Sequence, residues 1–418
     1  MTIPELPPGF IPSRHRVDRD QARRLVGALR LLMPGEVDPS EERWQAMGEA
    51  FMHGDAPMDR LVDWMFVQGM KSSRALFEQA LEQGIAAVPD APAPLREFFG
   101  QYETPPDWLD RGLLHEGAEV FRRGGADQVY VGRDVALAGG YQASAFNRTL
   151  LLTGALEKGP GRRFAETLRW ALDCTGEGGL ERHGAGFKST LRVRLIHALV
   201  RRHVQRLPEW RMQDWGLPIN QPDMAATLLG VFNIPVLGAR LMGMPQTRRE
   251  RDAATHLTRY VGWLMGVEPQ WLPTDERSAL TLLYQFSLSI TNPDETSAMM
   301  ARPMIDEPLG RSYPRFAWLR RRYDRARHLS ISRTFLGRKA MRNIGFPGYV
   351  LPWYPLLRLP LNLSWHLSSL LLPGGKARAA RVGRRRQERF LDELSGALPA
   401  VVGQAAHGFI AANQAKAA

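Results

Sequence analysis

A single cysteine stands in 418 residues. Cys174 alone can form no internal disulfide and no multi-thiolate zinc or iron–sulfur centre, so the fold must rest on packing. Acidic residues are also short: 43 Asp and Glu face 55 Lys and Arg, a formal charge of +12 at pH 7. The excess is mostly arginine and it is clustered. Arg320, Arg321, Arg322, Arg325 and Arg327 form one group; Lys376, Arg378, Arg381, Arg384, Arg385, Arg386 and Arg389 form another. No helix-turn-helix, zinc-finger or RNA-binding signature accompanies them. That sets nucleic acid aside as a partner and leaves solvated helix faces or contact with anionic lipid.

Uninterrupted hydrophobic runs are lacking too. The most apolar stretch, residues 344 to 373, is broken by Pro347, Pro352, Pro355 and Pro360 and by Arg358 and His366, which excludes a simple spanning helix. It is expected to pack against the core, or to join the second basic cluster in a peripheral membrane contact over 344–389. Met1 to Pro12 lack the basic-then-apolar order of a signal peptide, so a cytoplasmic chain is expected, peripheral to the membrane if that contact is made.

Period-two alternation is missing as well, which argues against sheets. What is present is a 44% hydrophobic chain whose stretches between Gly and Pro are rich in Ala, Leu, Arg, Glu and Met, the signature of an all-α protein with a sizeable core. A first helix is expected from Asp18, carrying Leu25, Leu29 and Leu32 to a stop at Pro34–Gly35. Further helices are expected at 39–53, 57–70 and 73–85. Then comes a proline-rich passage from Val88 to Trp108, the best boundary candidate. Beyond it the spacing predicts helices at 106–123, 127–152, 162–174, 187–206, 222–241, 247–266 and 274–291.

Two of these carry candidate chemistry. In the helix Phe187 to Arg206, His197 is flanked by Val193, Ile196 and Val200. A neutral imidazole in apolar surroundings suits an axial ligand of haem iron, although a histidine on a helix is far more often a hydrogen-bonded packing residue than a ligand. Arg194 and Arg201, one turn to either side, are placed to meet propionates as cations. In the helix after Gly161, Arg163, Thr167 and Trp170 share a face with Glu166 beside them. A guanidinium and a hydroxyl one turn apart can orient a bound oxygen species or grip a propionate. The ordinary alternative is an Arg–Glu surface pair and a threonine bonded back to its own helix. His183, Glu177 and Glu181 in a glycine-rich turn offer a weaker option for a metal. Gly176–Glu177–Gly178 lacks the strand-to-helix context of a nucleotide loop. Cys174 has no neighbour that would lower its pKa.

Arg163 and Thr167 in an Arg-x-x-x-Thr element, with His197 thirty residues on, resemble the latex-clearing rubber oxygenases and the wider MpaB-type oxygenase family. The stretches Trp215 to Phe232 and Tyr260 to Pro273 look similar as well, and the likeness covers roughly residues 100 to 375. The resemblance implies a single large helical domain with a cleft between helices for one haem b, His197 as the iron ligand, and Arg163 and Thr167 shaping the pocket. It also implies dioxygen and an apolar, isoprenoid or lipid-like substrate. Val193, Arg194, Val200 and Arg201 would then border the cofactor. Three segments are expected: an N-terminal helical layer over 1–90, a haem-binding oxygenase-like domain over 91–375, and a basic C-terminal helix and tail over 376–418. Two departures bear on mechanism. Glu166 stands where the latex enzymes have lysine, and Asn147 falls where they have their catalytic carboxylate. Asn147 cannot take up a proton, so Glu166 is the candidate to replace that base. The alternative is a non-catalytic haem-binding or membrane-associated protein of the same fold.

Overall fold

Most of the expected helices form, and the caps explain where they begin. The computed structural model describes residues 6–15, 19, 20, 22, 23, 30, 33, 35–154, 157 and 159–396; the first expected helix, from Asp18 to Leu32, lies mostly outside them. Helix α1 (Glu41–Glu49) opens on Ser40, whose hydroxyl accepts the Arg43 N–H at 3.1 Å. Helix α2 (Ala56–Gln68) opens on Asp55, which accepts the Met58 N–H. Gly69, at φ 100, separates it from α3 (Met70–Gln83).

The proline-rich passage contains a helix that the sequence hides, α4 (Ala93–Glu103). Pro92 and Pro94 start it rather than break it, because the first-turn N–H groups have no helical acceptor to lose. Leu95, Phe98, Phe99 and Tyr102 recur at helical spacing and are buried. Phe99 lies 5.3 Å from Phe77 of α3, which ties α4 into the N-terminal layer.

After α5 (Arg111–Arg123), the single helix expected over 127–152 is divided. Helix α6 (Gly125–Val131) runs into a π-helical stretch, Gly132–Leu137, and a last turn, Ala138–Gly140. The chain then opens at Tyr141 before α7 (Ser144–Leu152). The freed backbone finds another partner, since Gln142 O accepts the Asn292 N–H at 2.9 Å. Ala143 and Asn292 make an isolated bridge there, which is the β pairing found among the described residues.

Apart from the single turns Met212–Trp215 and Pro303–Asp306, the remaining α-helices are α8 (Pro160–Cys174), α9 (Ala185–Val204), α10 (Gln221–Leu241), α11 (Arg248–Leu264), α12 (Glu276–Ile290), α13 (Glu295–Ala301), α14 (Ala317–Asn343), α15 (Trp353–Leu371) and α16 (Gly375–Ser395). Helix α10 is long and apolar enough to cross a bilayer, but it forms the centre of the core. Its Phe232 packs edge-on against Phe121 of α5 and Trp170 of α8, both at 5.4 Å. Asn233 Nδ2 donates to Thr255 Oγ1 of α11 at 3.0 Å, linking the two helices through one of the few polar groups on α10. Gly238 admits Val131 of α6: a Cβ there would lie 2.4 Å from a Val131 methyl.

Candidate functional site

Helices α8 and α9 form an antiparallel hairpin, and the glycine-rich turn between them is built for close approach. A Cβ on Gly186 would stand 2.5 Å from Cys174 Cα, and one on Gly179 2.1 Å from Asp173 O. The glycines of this turn thus serve packing. His183 is exposed with φ 70 and lies against the Arg182 guanidinium, and no group of three metal-ligating side chains occurs among the described residues. Across the hairpin Trp170 Nε1 donates to Thr190 Oγ1 at 2.9 Å, and Thr190 Oγ1 donates back to Gly186 O at 2.6 Å. Fixing 170 beside 190 sets the register of the pair. The turn carrying Arg163 then falls level with His197, and that of Thr167 level with Val193.

His197 sits between buried Ile196 and Val200, with Val193 partly buried one turn back. The ring is partly accessible, yet Nδ1 is enclosed and has no hydrogen-bond partner. Burial, helped by the positive charge of Arg201, pulls the imidazole down to about 4, so it is neutral with a free lone pair at neutral pH. The Nε2 atoms of buried His15 and His328 are enclosed without a partner in the same way, so His197 is distinguished by its place at the level of Arg163 and not by the free nitrogen alone. Of the two histidines on this helix, His203 is the less buried and has its own interactions.

The flanking arginines have partners from the protein itself. Arg194, 1% exposed, makes a two-bond fork to Asp55 (Nε to Oδ2 at 2.6 Å, Nη2 to Oδ1 at 2.7 Å). It also donates to the Tyr102 hydroxyl at 2.7 Å and to Leu264 O at 3.0 Å. Burial opposes its charge and the Asp55 carboxylate more than offsets that, so the guanidinium stays ionised. Arg201 donates to Asp59 at 2.6 Å and to Ile219 O at 2.9 Å. These bonds commit most of the donors expected to meet propionates. Both arginines instead bind α9 to the start of α2, where Asp55 and Asp59 are one turn apart.

On α8, Arg163 lies at the hydroxyl of buried Tyr141, in the gap between the π-helical stretch and α7. Thr167 is exposed and donates back to Arg163 O at 3.2 Å. Glu166 has Arg162 at 3.9 Å, the surface-pair arrangement foreseen as the ordinary alternative. Asn147 is fully buried, and its amide donates to Tyr141 O at 2.7 Å and Thr296 Oγ1 at 3.1 Å. The hairpin therefore brings the turn of Arg163 level with His197 and that of Thr167 one turn away, level with Val193, while Asn147 serves to pin the open turn at Tyr141. Sequence reasoning missed Asp55, Asp59 and Tyr141, which lie 139, 142 and 22 positions from their arginines. The acidic ladder Asp55, Asp59, Asp63 at i, i+4, i+8 was the signal, because it faces Arg194, Arg201 and Arg202.

The arrangement defines an all-helical fold with a histidine-bearing hairpin at its centre. It is similar to a solved structure of latex clearing protein LCP in the closed state, with a TM-score of 0.61 over 82% of this chain and 91% of the other. Identity there is 20%, so that likeness concerns the fold. Residues 128–367 match the family model of the ER-bound oxygenase mpaB/B'/Rubber oxygenase catalytic domain, and the chain belongs to this family of oxygenases. A rubber oxygenase from a Streptomyces strain is 25% identical over 200 residues, 47% of this chain and 47% of that protein. The match thus spans about half the length of the curated relative. Arg163, Glu166, Thr167 and His197 all fall within the family region.

Proposed function

We propose that the protein is a haem b-dependent oxygenase acting with dioxygen on an apolar, isoprenoid or lipid-like small molecule. The observation that carries this reading is the neutral imidazole of His197, whose enclosed nitrogen lacks a partner at the level of Arg163. His197 would hold the iron through its lone pair, and Val193, Ile196 and Val200 would supply the apolar surroundings of that bond. When bound, the haem supplies the activation of dioxygen. Arg163, steadied by the Tyr141 hydroxyl, would present a fixed cation to that chemistry, and Thr167, whose hydroxyl donates to Arg163 O, helps to hold that helical turn in place. Arg194 and Arg201 act indirectly by locking the helix that carries His197 to Asp55 and Asp59. Glu166 is the carboxylate nearest these groups in sequence and is the base of this reading, with Arg162 as its counter-ion.

One observation favours a second reading. Asn147 is a buried structural amide where a base is needed, which fits a haem protein of this fold without turnover. An oxygen electrode separates the two. Haem-loaded protein supplied with polyisoprene oligomers or unsaturated lipids consumes oxygen and yields carbonyl products if it is an oxygenase, and Arg163→Ala abolishes this. Loaded protein that leaves oxygen untouched with every substrate supports the second reading.

A further inference from the structure

Helix α15 is inside out. Its Arg358 and Asn362 face the protein: Arg358 Nε and Asn362 Nδ2 donate to Asp127 Oδ2 at 2.8 and 2.9 Å, and Asn362 also reaches Met242 O at 3.0 Å. The Tyr354 hydroxyl donates to Asp127 Oδ1 at 2.6 Å. Its leucines face outward, with Leu356, Leu361 and Leu371 66%, 59% and 83% exposed. A helix on a water-facing surface is arranged the other way round, and a contiguous apolar patch marks a surface that something covers.

The patch continues beyond α15. Tyr323 of α14 meets Trp353 at 5.6 Å, so the first turns of α14 lie beside the start of α15. There Phe316 adopts the left-handed region (φ 53, ψ 39), a costly conformation for an aromatic residue, with its ring left 70% exposed beside exposed Trp318. The surroundings are basic. Arg386 of α16 sits over Trp365 at 5.7 Å, and α16 carries Arg378, Arg381, Arg385 and Arg389 exposed and without carboxylate partners among the described residues.

We propose that α15 and the first turn of α14 form a monotopic docking surface for a lipid bilayer carrying anionic headgroups. The leucines and aromatic rings enter the acyl boundary and the arginines of α16 meet the phosphates. A second copy of the chain fits less well, because pairing through α15 would bring like-charged arginine rows together, whereas an anionic bilayer supplies the opposite charge. The proposal stands on these surface residues and does not depend on His197 or on haem.

Vesicle flotation with the full-length protein tests it, using phosphatidylcholine vesicles with and without phosphatidylglycerol. The parent protein floats with the anionic vesicles and at least about tenfold less with the neutral ones, and added salt weakens binding. Leu356→Gln/Leu361→Gln/Leu371→Gln lowers binding about tenfold or more while helical circular dichroism is unchanged. Arg381→Gln/Arg385→Gln/Arg389→Gln reduces anionic binding to the neutral level. The proposal is overturned if the parent floats with neither composition, or if the leucine variant binds as the parent does. It is also overturned if the parent is a dimer in solution that the leucine substitutions convert to monomer.

Discussion

Removing Asp55 tests whether buried charge holds the helix that carries His197. In Asp55→Ala, Arg194 keeps the Tyr102 hydroxyl and Leu264 O but loses both bonds to its counter-ion. Breaking one partner of a buried pair costs about 3–5 kcal/mol, because a guanidinium cannot escape the penalty by releasing its proton. Asp55 also caps α2 through the Met58 N–H, which adds about 1 kcal/mol. The loss is read from the shift in the urea midpoint multiplied by the slope of the transition, alongside Arg194→Met and the double variant. Replacing both charges removes the stranded cation, so the double variant should be more stable than Asp55→Ala by about 2 kcal/mol. A loss below about 1 kcal/mol for Asp55→Ala, or single losses that simply add in the double variant, would refute the reasoning.

Further outcomes follow from the packing and the titration of the same region. Gly186→Ala should cost about 1–3 kcal/mol, since its new carbon meets Cys174 backbone that cannot yield, whereas Gly100→Ala on α4, with nothing within 4 Å, should be neutral or stabilising; equal midpoints in thermal melts would count against the hairpin geometry. In the haem-free protein His15 and His197 are both held near 4 by burial, against an ordinary 6.5. The unfolded chain therefore takes up protons on these rings that the folded one refuses. The contribution of these two rings is complete above pH 6.5 and is lost toward pH 4, by up to about 1.4 kcal/mol per pH unit for each ring, while buried Asp134, pushed up to about 7 by burial, works in the opposite sense. Urea midpoints of the parent and His15→Phe at neutral pH and about pH 5 isolate the effect of one ring, and the variant should lose less stability, or gain more, on acidification; an equal change in both proteins contradicts it.

The helical class was legible because the apolar residues repeat at helical spacing between clear Gly and Pro stops. The boundaries of α8, α10, α11 and α12 fell within a few residues of those expected for that reason. Helix α4 was hidden because proline reads as a breaker, although Pro92 and Pro94 stand where a helix has no N–H bonds to lose. The break at Tyr141 was hidden for the opposite reason: residues 127 to 152 keep a helical pattern, and a distant contact from Asn292 opens the backbone. His197, Arg163 and Thr167 are singled out in the sequence by the resemblance to the latex-clearing and MpaB-type oxygenases, and their roles belong to the proposed function. The fate of Arg194 and Arg201 could not be read there, because a helix face lists the cations it offers and only the fold decides which carboxylates reach them. The inverted orientation of α15 was equally unreadable, since periodicity reports an apolar stripe without saying which side meets the protein.

The central claim is that His197 binds iron, and the absorption spectrum of the purified protein, expressed with haem precursor, tests it most directly. The parent should show a Soret band, and His197→Ala should lose it or weaken it strongly while keeping its helical circular dichroism. Parent and variant carrying equal haem with superimposable spectra would contradict the assignment.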